Sequence, residues 1–189
     1  MAIKIFIDQG HNPVNPNAGA EGFGLREQDI TYDIGVRLAS LLENDPDFEV
    51  KLSRNTPTEQ LGTSNSTSLA ARVNSANAWD ADYFISLHTN ASVNPDISGT
   101  EGYAYSMNSE GYWLGYEIIE GISNYTGLKN RGMFVRPSLY VLRRTGMPAT
   151  LIEMGYITNQ NDAYLLSQQP ELFARAIYSG ILSYFGLDS

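Results

Sequence analysis

The alternation of strand-like and helix-like segments predicts an α/β fold with a mostly parallel or mixed sheet and helices on both faces. Short apolar runs, typical of buried strands, alternate with longer segments whose apolar residues recur with the 3.6-residue period of a helix. The 189 residues contain no internal repeat and no linker long enough to separate two units. One domain over residues 1–189 is therefore expected, with no separate binding domain.

The first five elements follow from local patterns. Residues 3–8 form an apolar run that predicts a strand. A helix is predicted over 25–44, because its apolar residues share one face and a proline-containing turn follows it. Residues 48–53 alternate between apolar and polar types, as in a strand. Polar residues that favour helix N-termini precede a helix over 68–79, and the next apolar run predicts a strand ending at His88.

The rest of the chain repeats the same two patterns. Strands are predicted over 101–106, 139–143 and 148–153, and helices over 109–126, 159–168 and 170–185. The last helix has the clearest apolar face, which suits packing against a sheet.

Composition excludes several classes of protein. The formal net charge of −9 and the pI of about 4.6 argue against nucleic acid or an anionic membrane as partner. No apolar run approaches the roughly 20 residues of a membrane-spanning helix. The chain has no cysteine, which rules out disulfides, thiol nucleophiles and cysteine-based metal sites. We expect a monomeric globular protein.

The only two histidines each follow a predicted strand directly. His11 comes after the first strand and Gly10, and His88 comes at the end of the apolar run that begins at Tyr83. A third apolar run ends in an acid, Glu153. Because open α/β sheets gather ligands at the carboxyl ends of their strands, these three side chains are expected to meet. The pattern predicts a metal hydrolase, with zinc as the first metal to consider.

Two acids have both a functional and a structural interpretation. Glu27 is predicted either to bind the metal or to stabilise the N-terminus of the helix through its negative charge. Asp29 and Glu21 are local alternatives for the metal ligand. Glu153 is predicted either to act as general base and acid, with its pKa raised by burial, or to cap the backbone near Gly155 and Tyr156.

Other chemistries fit the sequence less well. The glycine-rich stretch 19–24 lacks the lysine and the glycine spacing of phosphate-binding loops. No Gly-x-Ser-x-Gly motif is present for a serine hydrolase. A glycosidase with two carboxylates would leave the histidine pair without a role.

Four segments together resemble the amidase_3 family of zinc-dependent N-acetylmuramoyl-L-alanine amidases. They occur in the family's order and span nearly the whole chain: 7–11 with 19–27, 69–77, 81–91, and 139–142 with 148–159. The resemblance implies a six-stranded mixed sheet and a peptidoglycan hydrolase of the autolysin or endolysin kind.

The same resemblance implies roles for individual residues. His11, Glu27 and His88 would bind one zinc ion, and Glu153 would be the catalytic carboxylate. The predicted reaction is hydrolysis of the amide between N-acetylmuramic acid and L-alanine. A zinc peptidase of similar architecture and a non-catalytic wall-binding module are the competing hypotheses.

The predicted partner is peptidoglycan, with two further residues as substrate contacts. Asn90 and Arg143 are predicted to contact the stem peptide, whose carboxylates suit a guanidinium. Action at the bacterial cell wall is expected. The N-terminus lacks a signal-peptide pattern, so an excised domain, export by another route, or release by phage or spore lysis is expected.

Overall fold

Strands and helices alternate along the chain, as predicted. The computed structural model describes residues 2–187. The strands are β1 (Ile3–Gln9), β2 (Glu21–Gly22), β3 (Leu25–Arg26), β4 (Phe48–Leu52), β5 (Tyr83–Asn90), β6 (Thr100–Ala104), β7 (Asn130–Val135) and β8 (Ala149–Tyr156). The helices are α1 (Glu27–Glu43), α2 (Asn65–Ala78), α3 (Glu110–Thr126), α4 (Tyr140–Arg144), α5 (Gln160–Gln168) and α6 (Pro170–Phe185).

Six strands form one mixed sheet in the order β4-β1-β5-β8-β6-β7. The first four are parallel to one another, β6 runs antiparallel to β8, and β7 is parallel to β6. The predicted six-stranded mixed sheet is therefore confirmed. Strands β2 and β3 form a separate small hairpin just before α1.

Helices cover both faces of the sheet, again as predicted. On one face, the apolar sides of α1, α3 and α6 pack against alternate residues of the central strands, such as Ile7 and Leu87. On the other face, α2 and α4 cover Phe6, Phe84 and Leu151. Since successive strand residues point to opposite faces, this second face also carries the side chains of the strand-end residues described below.

Local sequence explains where several helices begin and end. The Ser64 side chain accepts a hydrogen bond from the backbone of Thr67, and the Thr67 side chain accepts one in return, so α2 starts with a capping box. Gly127 ends α3 with a φ of 73°, a conformation that glycine adopts without steric cost. No helix in the described part of the chain is long and apolar enough to cross a bilayer.

Three regions differ from the predicted elements. The β2–β3 hairpin was not predicted, and β3 occupies the first two residues of the helix predicted over 25–44. The strand predicted over 139–143 is wrong, because α4 occupies Tyr140–Arg144. A short apolar run fits a strand and a buried helix turn equally well, and here Val141 and Leu142 both pack into the core beneath α4. Strand β7 was not predicted. It lies at the sheet edge, where Phe134 and Val135 are both exposed, so it lacks the alternation that identifies a strand.

Candidate active site

The carboxyl ends of the three central strands bring the predicted residues together. The backbone amide of Gly10 donates to Leu87 O at 3.0 Å, which continues the pairing of β1 with β5. His88 lies opposite Glu153 in the parallel register of β5 and β8. His11 follows β1 with a φ of 69°, a left-handed conformation that is uncommon for a residue with a side chain.

His11, Glu27 and His88 form a group that could hold a metal ion. Their ligand atoms all lie within 4.8 Å of one another. His11 Nε2 is 3.2 Å from Glu27 Oε2, and His88 Nδ1 is 3.0 Å from Glu27 Oε1. The two imidazole rings meet edge to face at 4.8 Å between centroids. Two imidazole nitrogens and one carboxylate are the donors found in many catalytic metal sites, which keep a fourth position open.

Backbone donors hold the Glu27 carboxylate in place. Ala20 N donates to Oε2 and Thr89 N donates to Oε1, each at 2.9 Å. Burial would raise the pKa of Glu27, but hydrogen bonds and the charges of the two histidines outweigh it and hold the pKa well below its usual range. The carboxylate is therefore ionised and oriented towards both imidazoles.

The local alternatives for the third ligand lie outside this group. Asp29 is exposed and accepts two hydrogen bonds from the Arg26 guanidinium. Glu21 is exposed in the β2–β3 hairpin. The direction of α1 brings Glu27 and not Asp29 to the two histidines, because Glu27 is buried at the strand ends and Asp29 is exposed to solvent.

Two glycines leave the space that the histidines and Glu27 occupy. A Cβ atom on Gly10 would lie 2.5 Å from His88 Cε1 and 2.6 Å from its Nε2. A Cβ atom on Gly19 would lie 2.7 Å from Glu27 Oε2 and 2.9 Å from His11 Cδ2. Separations this short are not tolerated, so the packing around the group requires glycine at both positions.

A buried arginine holds the chain segment that carries His11. The Arg72 guanidinium is fully buried and donates at 2.6 Å to Asp8 Oδ1, to Gln9 O and to His11 O. Burial tends to raise the pKa of Asp8, but the charge and hydrogen bonds of Arg72, together with Ser86, lower it overall.

The second ring nitrogen of His11 also has a partner. His11 Nδ1 lies 3.3 Å from Asn17 O, a backbone carbonyl, as expected for a histidine whose other nitrogen binds a metal. A carbonyl oxygen only accepts a hydrogen bond, so His11 Nδ1 is the donor in this contact.

Glu153 lies beside this group, and its side chain is partly exposed although its Oε2 atom is buried. Its Oε2 atom has no hydrogen-bond partner among the described residues. Burial and then the charges of Glu27 and Glu101 raise the pKa of Glu153 well above its ordinary value. The backbone amide of Tyr156, which the structural interpretation assigned to Glu153, donates instead to Asp162 Oδ2 at 2.9 Å.

A second acid next to Glu153 was missed in the sequence. Glu101 lies opposite Glu153 in the antiparallel pairing of β6 and β8. Four side chains hold its carboxylate: Asn90, Tyr103, Arg131 and Tyr156. Glu101 is thus fully hydrogen-bonded where Glu153 is not. Its only signal in the sequence was an acid within a predicted strand, which does not reveal its partners.

The two predicted substrate contacts lie in different places. Asn90 is at the end of β5, close to the site, and its amide donates to Glu101 Oε1 at 2.9 Å. Arg143 is exposed on α4 and lines a cavity of about 490 Å³ together with Tyr105 and Met147. None of the residues that line this cavity belongs to the His-Glu-His group. A contact of either residue with a stem peptide stays a prediction.

Comparison with known proteins places these residues in a family. The Amidase_3 family, described as N-acetylmuramoyl-L-alanine amidase, matches residues 5–183. The N-acetylmuramoyl-L-alanine amidase CwlM of Bacillus licheniformis is 35% identical over 190 residues, covering 98% of this chain and 70% of its own length. The amidase LytC of Bacillus subtilis is 33% identical, covering 96% of this chain but 35% of its own length.

A solved structure has the same fold. The CwlD amidase from Clostridioides difficile, solved in complex with the GerS lipoprotein, superposes with a TM-score of 0.89 at 26% identity. The match covers 98% of this chain and 100% of CwlD. The chain thus spans the full length of that structure, although it spans about a third of LytC.

Proposed function

We propose that the chain, which belongs to the Amidase_3 family, is a zinc-dependent amidase that hydrolyses peptidoglycan between N-acetylmuramic acid and L-alanine. The observation that carries the proposal is the convergence of His11, Glu27 and His88 within 4.8 Å. Glu153 lies on the strand next to His88, and its Oε2 atom has no hydrogen-bond partner among the described residues. We also propose that residues 1–189 form one catalytic domain.

The donor set suits zinc. Neutral imidazole and carboxylate are zinc ligands, and three protein ligands are usual in catalytic zinc sites. Glu27 is held by backbone amides and His11 by Asn17, so both are oriented before any metal binds. When bound, zinc would supply Lewis-acid polarisation of the amide carbonyl and acidify a water molecule.

Glu153 moves the protons in the proposed reaction. Its Oε2 atom accepts a proton from the water that attacks the amide carbonyl carbon, as an unpartnered carboxylate with a raised pKa can do. The carbon–nitrogen bond then breaks, and Glu153 returns the proton to the departing amine of L-alanine. The products are the lactyl carboxylic acid and a free amino terminus.

Surrounding residues support these roles without taking part in proton transfer. Arg72 holds the backbone of His11, and Glu101 keeps a second negative charge next to Glu153. The negative charge of Glu101 disfavours ionisation of Glu153 and so favours its acid form for the second proton transfer. The substrate places the action of the protein at the bacterial cell wall.

The first experiment measures zinc content by elemental analysis together with release of L-alanine amino termini from purified peptidoglycan. We expect about one zinc per chain and release that a chelator abolishes. Glu27→Gln should lose both, whereas Asp29→Asn, an exposed acid of the same helix turn, should keep both. Zinc without release of amino termini would contradict the amidase assignment. If the protein contains no zinc and releases no amino termini, the result would favour a non-catalytic module.

A further inference from the structure

A row of facing residues crosses the sheet next to the His-Glu-His group. His88 on β5, Glu153 on β8 and Glu101 on β6 lie opposite one another in the register of three neighbouring strands. Side chains that lie directly opposite one another point to the same face of a sheet. Arg131 on β7, the next strand, extends the row, because its Nε atom donates to Glu101 Oε2 at 3.0 Å. The row therefore runs from a metal-binding histidine past the proposed proton carrier to a cation.

The surroundings of Arg131 hold its side chain in place. Besides the bond to Glu101, its Nη1 atom donates to Ser98 O at 3.3 Å, and its guanidinium carbon lies 5.5 Å from the centre of the Tyr156 ring. Gly99 leaves room for this side chain, because a Cβ atom there would lie 3.0 Å from Arg131 Cγ. A side chain that is fixed before a ligand arrives loses less conformational entropy when the ligand binds.

Arg131 is also accessible to a ligand. Its side chain is 31% exposed, and the bonds to Glu101 and Ser98 occupy only some of the N–H donors of the guanidinium. The planar fork of these donors matches the geometry of a carboxylate. Arg72, the other arginine close to the site row, is fully buried and paired with Asp8. Arg131 can therefore bind an anion that arrives from solvent, whereas Arg72 cannot.

The position of Arg131 matches a particular carboxylate of a stem peptide. Two strand spacings, about 10 Å, separate the backbones of Glu153 and Arg131. The side chain of Arg131 shortens this separation, because it reaches back to Glu101. In a stem peptide with a γ-linked glutamate as its second residue, the free α-carboxylate lies within two residues of the scissile amide, a span of at most about 7 Å. This carboxylate can therefore reach Arg131 while the amide lies at Glu153.

We propose that Arg131 binds the α-carboxylate of the second stem-peptide residue and thereby makes the protein prefer stem peptides in which this carboxylate is free. The inference rests on the proposed amidase function. Arg131 takes no part in proton transfer, and Glu101 fixes the direction of its guanidinium. The competing explanation is that Arg131 only pairs with Glu101, and the experiment below separates the two.

The test compares two soluble substrates with the zinc-loaded protein. Both are N-acetylmuramoyl dipeptides of L-alanine and D-glutamate, one with a free α-carboxylate and the other with an α-carboxamide of the same size. The wild type should have a kcat/KM about 10-fold or more higher for the carboxylate, because a hydrogen bond to a charged group has an effect of this size. Most of the difference should appear in KM, since the contact is remote from the reacting bond.

Three variants separate recognition of the substrate from support of the fold. Arg131→Gln removes the charge, and Arg131→Lys keeps the charge but loses the planar fork. Arg175→Gln is the matched control, because Arg175 also donates from Nε to a glutamate, Glu171, at 3.0 Å, but lies on α6. Thermal unfolding of each variant checks that it is folded, and Arg131→Lys provides the comparison if Arg131→Gln is poorly folded.

The expected result is a loss of the preference for the free carboxylate. In Arg131→Gln, kcat/KM for the carboxylate peptide should fall about 10-fold, to the level of the carboxamide peptide, whose own value should change little. Arg131→Lys should have an intermediate preference, and Arg175→Gln should keep the wild-type ratio. Equal kcat/KM of the wild type for both peptides would overturn the proposal, as would an equal fall for both in the Arg131 variants, which a purely structural role predicts. Failure of the wild type to cleave either peptide would instead contradict the amidase function itself.

Discussion

Replacing Arg72 with methionine should weaken both the fold and the metal site. Arg72 comes from α2 and its guanidinium makes three hydrogen bonds of 2.6 Å, to Asp8 Oδ1, Gln9 O and His11 O. Methionine has a similar length but no charge and no donor. The substitution therefore leaves the Asp8 carboxylate buried without its cation and leaves two strand-end carbonyls without their donor.

The structure allows a rough magnitude for each effect. Breaking a buried ion pair by removing one partner costs about 3–5 kcal/mol, because a charge stays in the interior without compensation. In Arg72→Met, the Asp8 carboxylate loses its hydrogen bond from Arg72 and keeps the one from Ser86 Oγ, at 2.7 Å. A domain of this kind is usually stable by about 5–15 kcal/mol, so Arg72→Met should remove about a fifth or more of the total.

The effect on zinc follows from the backbone of His11. This residue has a φ of 69°. Such a backbone conformation costs about 1–3 kcal/mol and persists only where the surrounding structure holds it. Without the bond from Arg72 to His11 O, the imidazole is free to move away from Glu27. Residues that orient metal ligands usually contribute about 10- to 100-fold to metal affinity, and we expect a loss in this range.

Urea unfolding followed by circular dichroism, and competition with a chromogenic chelator, measure the two effects separately. The double variant Asp8→Asn with Arg72→Met removes the unpaired charge, so it should regain about 2 kcal/mol of stability. It should not regain zinc affinity, because His11 O still lacks its donor. Stability within about 1 kcal/mol of the wild type, or unchanged zinc affinity in Arg72→Met, would refute the reasoning.

Three further variants or conditions test other parts of the site. Gly10→Ala should lower zinc affinity by about 10-fold or more in chelator competition, because its Cβ would lie 2.5 Å from the His88 ring. Gly146→Ala is the control, since its Cβ meets nothing closer than 3.5 Å, and an equal loss there would contradict the steric argument. Glu153→Gln should bind zinc normally while kcat falls by about 10²- to 10⁴-fold, and near-normal turnover would exclude a proton-transfer role. Glu153→Gln should also stabilise the zinc-free protein at pH 7 by about 1–2 kcal/mol, an effect that disappears at acid pH, because the raised pKa means that folding disfavours the ionised carboxylate. Asp8 should make stability depend on pH below 3.8, the ordinary pKa of its carboxyl group. Because folding lowers this pKa, the contribution of Asp8 to stability is complete above the pKa of the unfolded state and is lost as the pH falls through the pKa of the folded state. Asp8→Asn should flatten that part of the urea-unfolding pH profile, and an unchanged slope would contradict the assignment.

The site combines acids with opposite electrostatic surroundings. Glu27 contacts two imidazoles, which lower its pKa, whereas burial and then the charges of two carboxylates raise the pKa of Glu153. The same residue type therefore serves as an ionised ligand at one position and as a proton carrier at the other. Environments that separate the pKa values of neighbouring carboxylates are characteristic of active sites.

Local patterns in the sequence were sufficient to predict most of the fold and the residues at the site. The apolar period of α1, α3 and α6 and the apolar runs of the central strands depend on neighbours along the chain, so they can be recognised from the sequence alone. The two histidines and Glu153 could be identified because each comes directly after a buried apolar run, and parallel strands end at the same edge of a sheet.

Other features depend on contacts between distant parts of the chain, which no local pattern encodes. The choice of Glu27 over Asp29 was left open by spacing and depends on how α1 leaves the β2–β3 hairpin. The hydrogen bond from Arg72 to His11 O joins residues 61 positions apart. The hydrogen bonds around Glu101 join strands β5, β6, β7 and β8. Strand β7 and helix α4 were missed or misassigned because the sheet edge and the core beneath them, rather than their own residue pattern, determine their conformation. Burial and pairing of polar groups arise only when the chain has folded, and these contacts position the reactive groups.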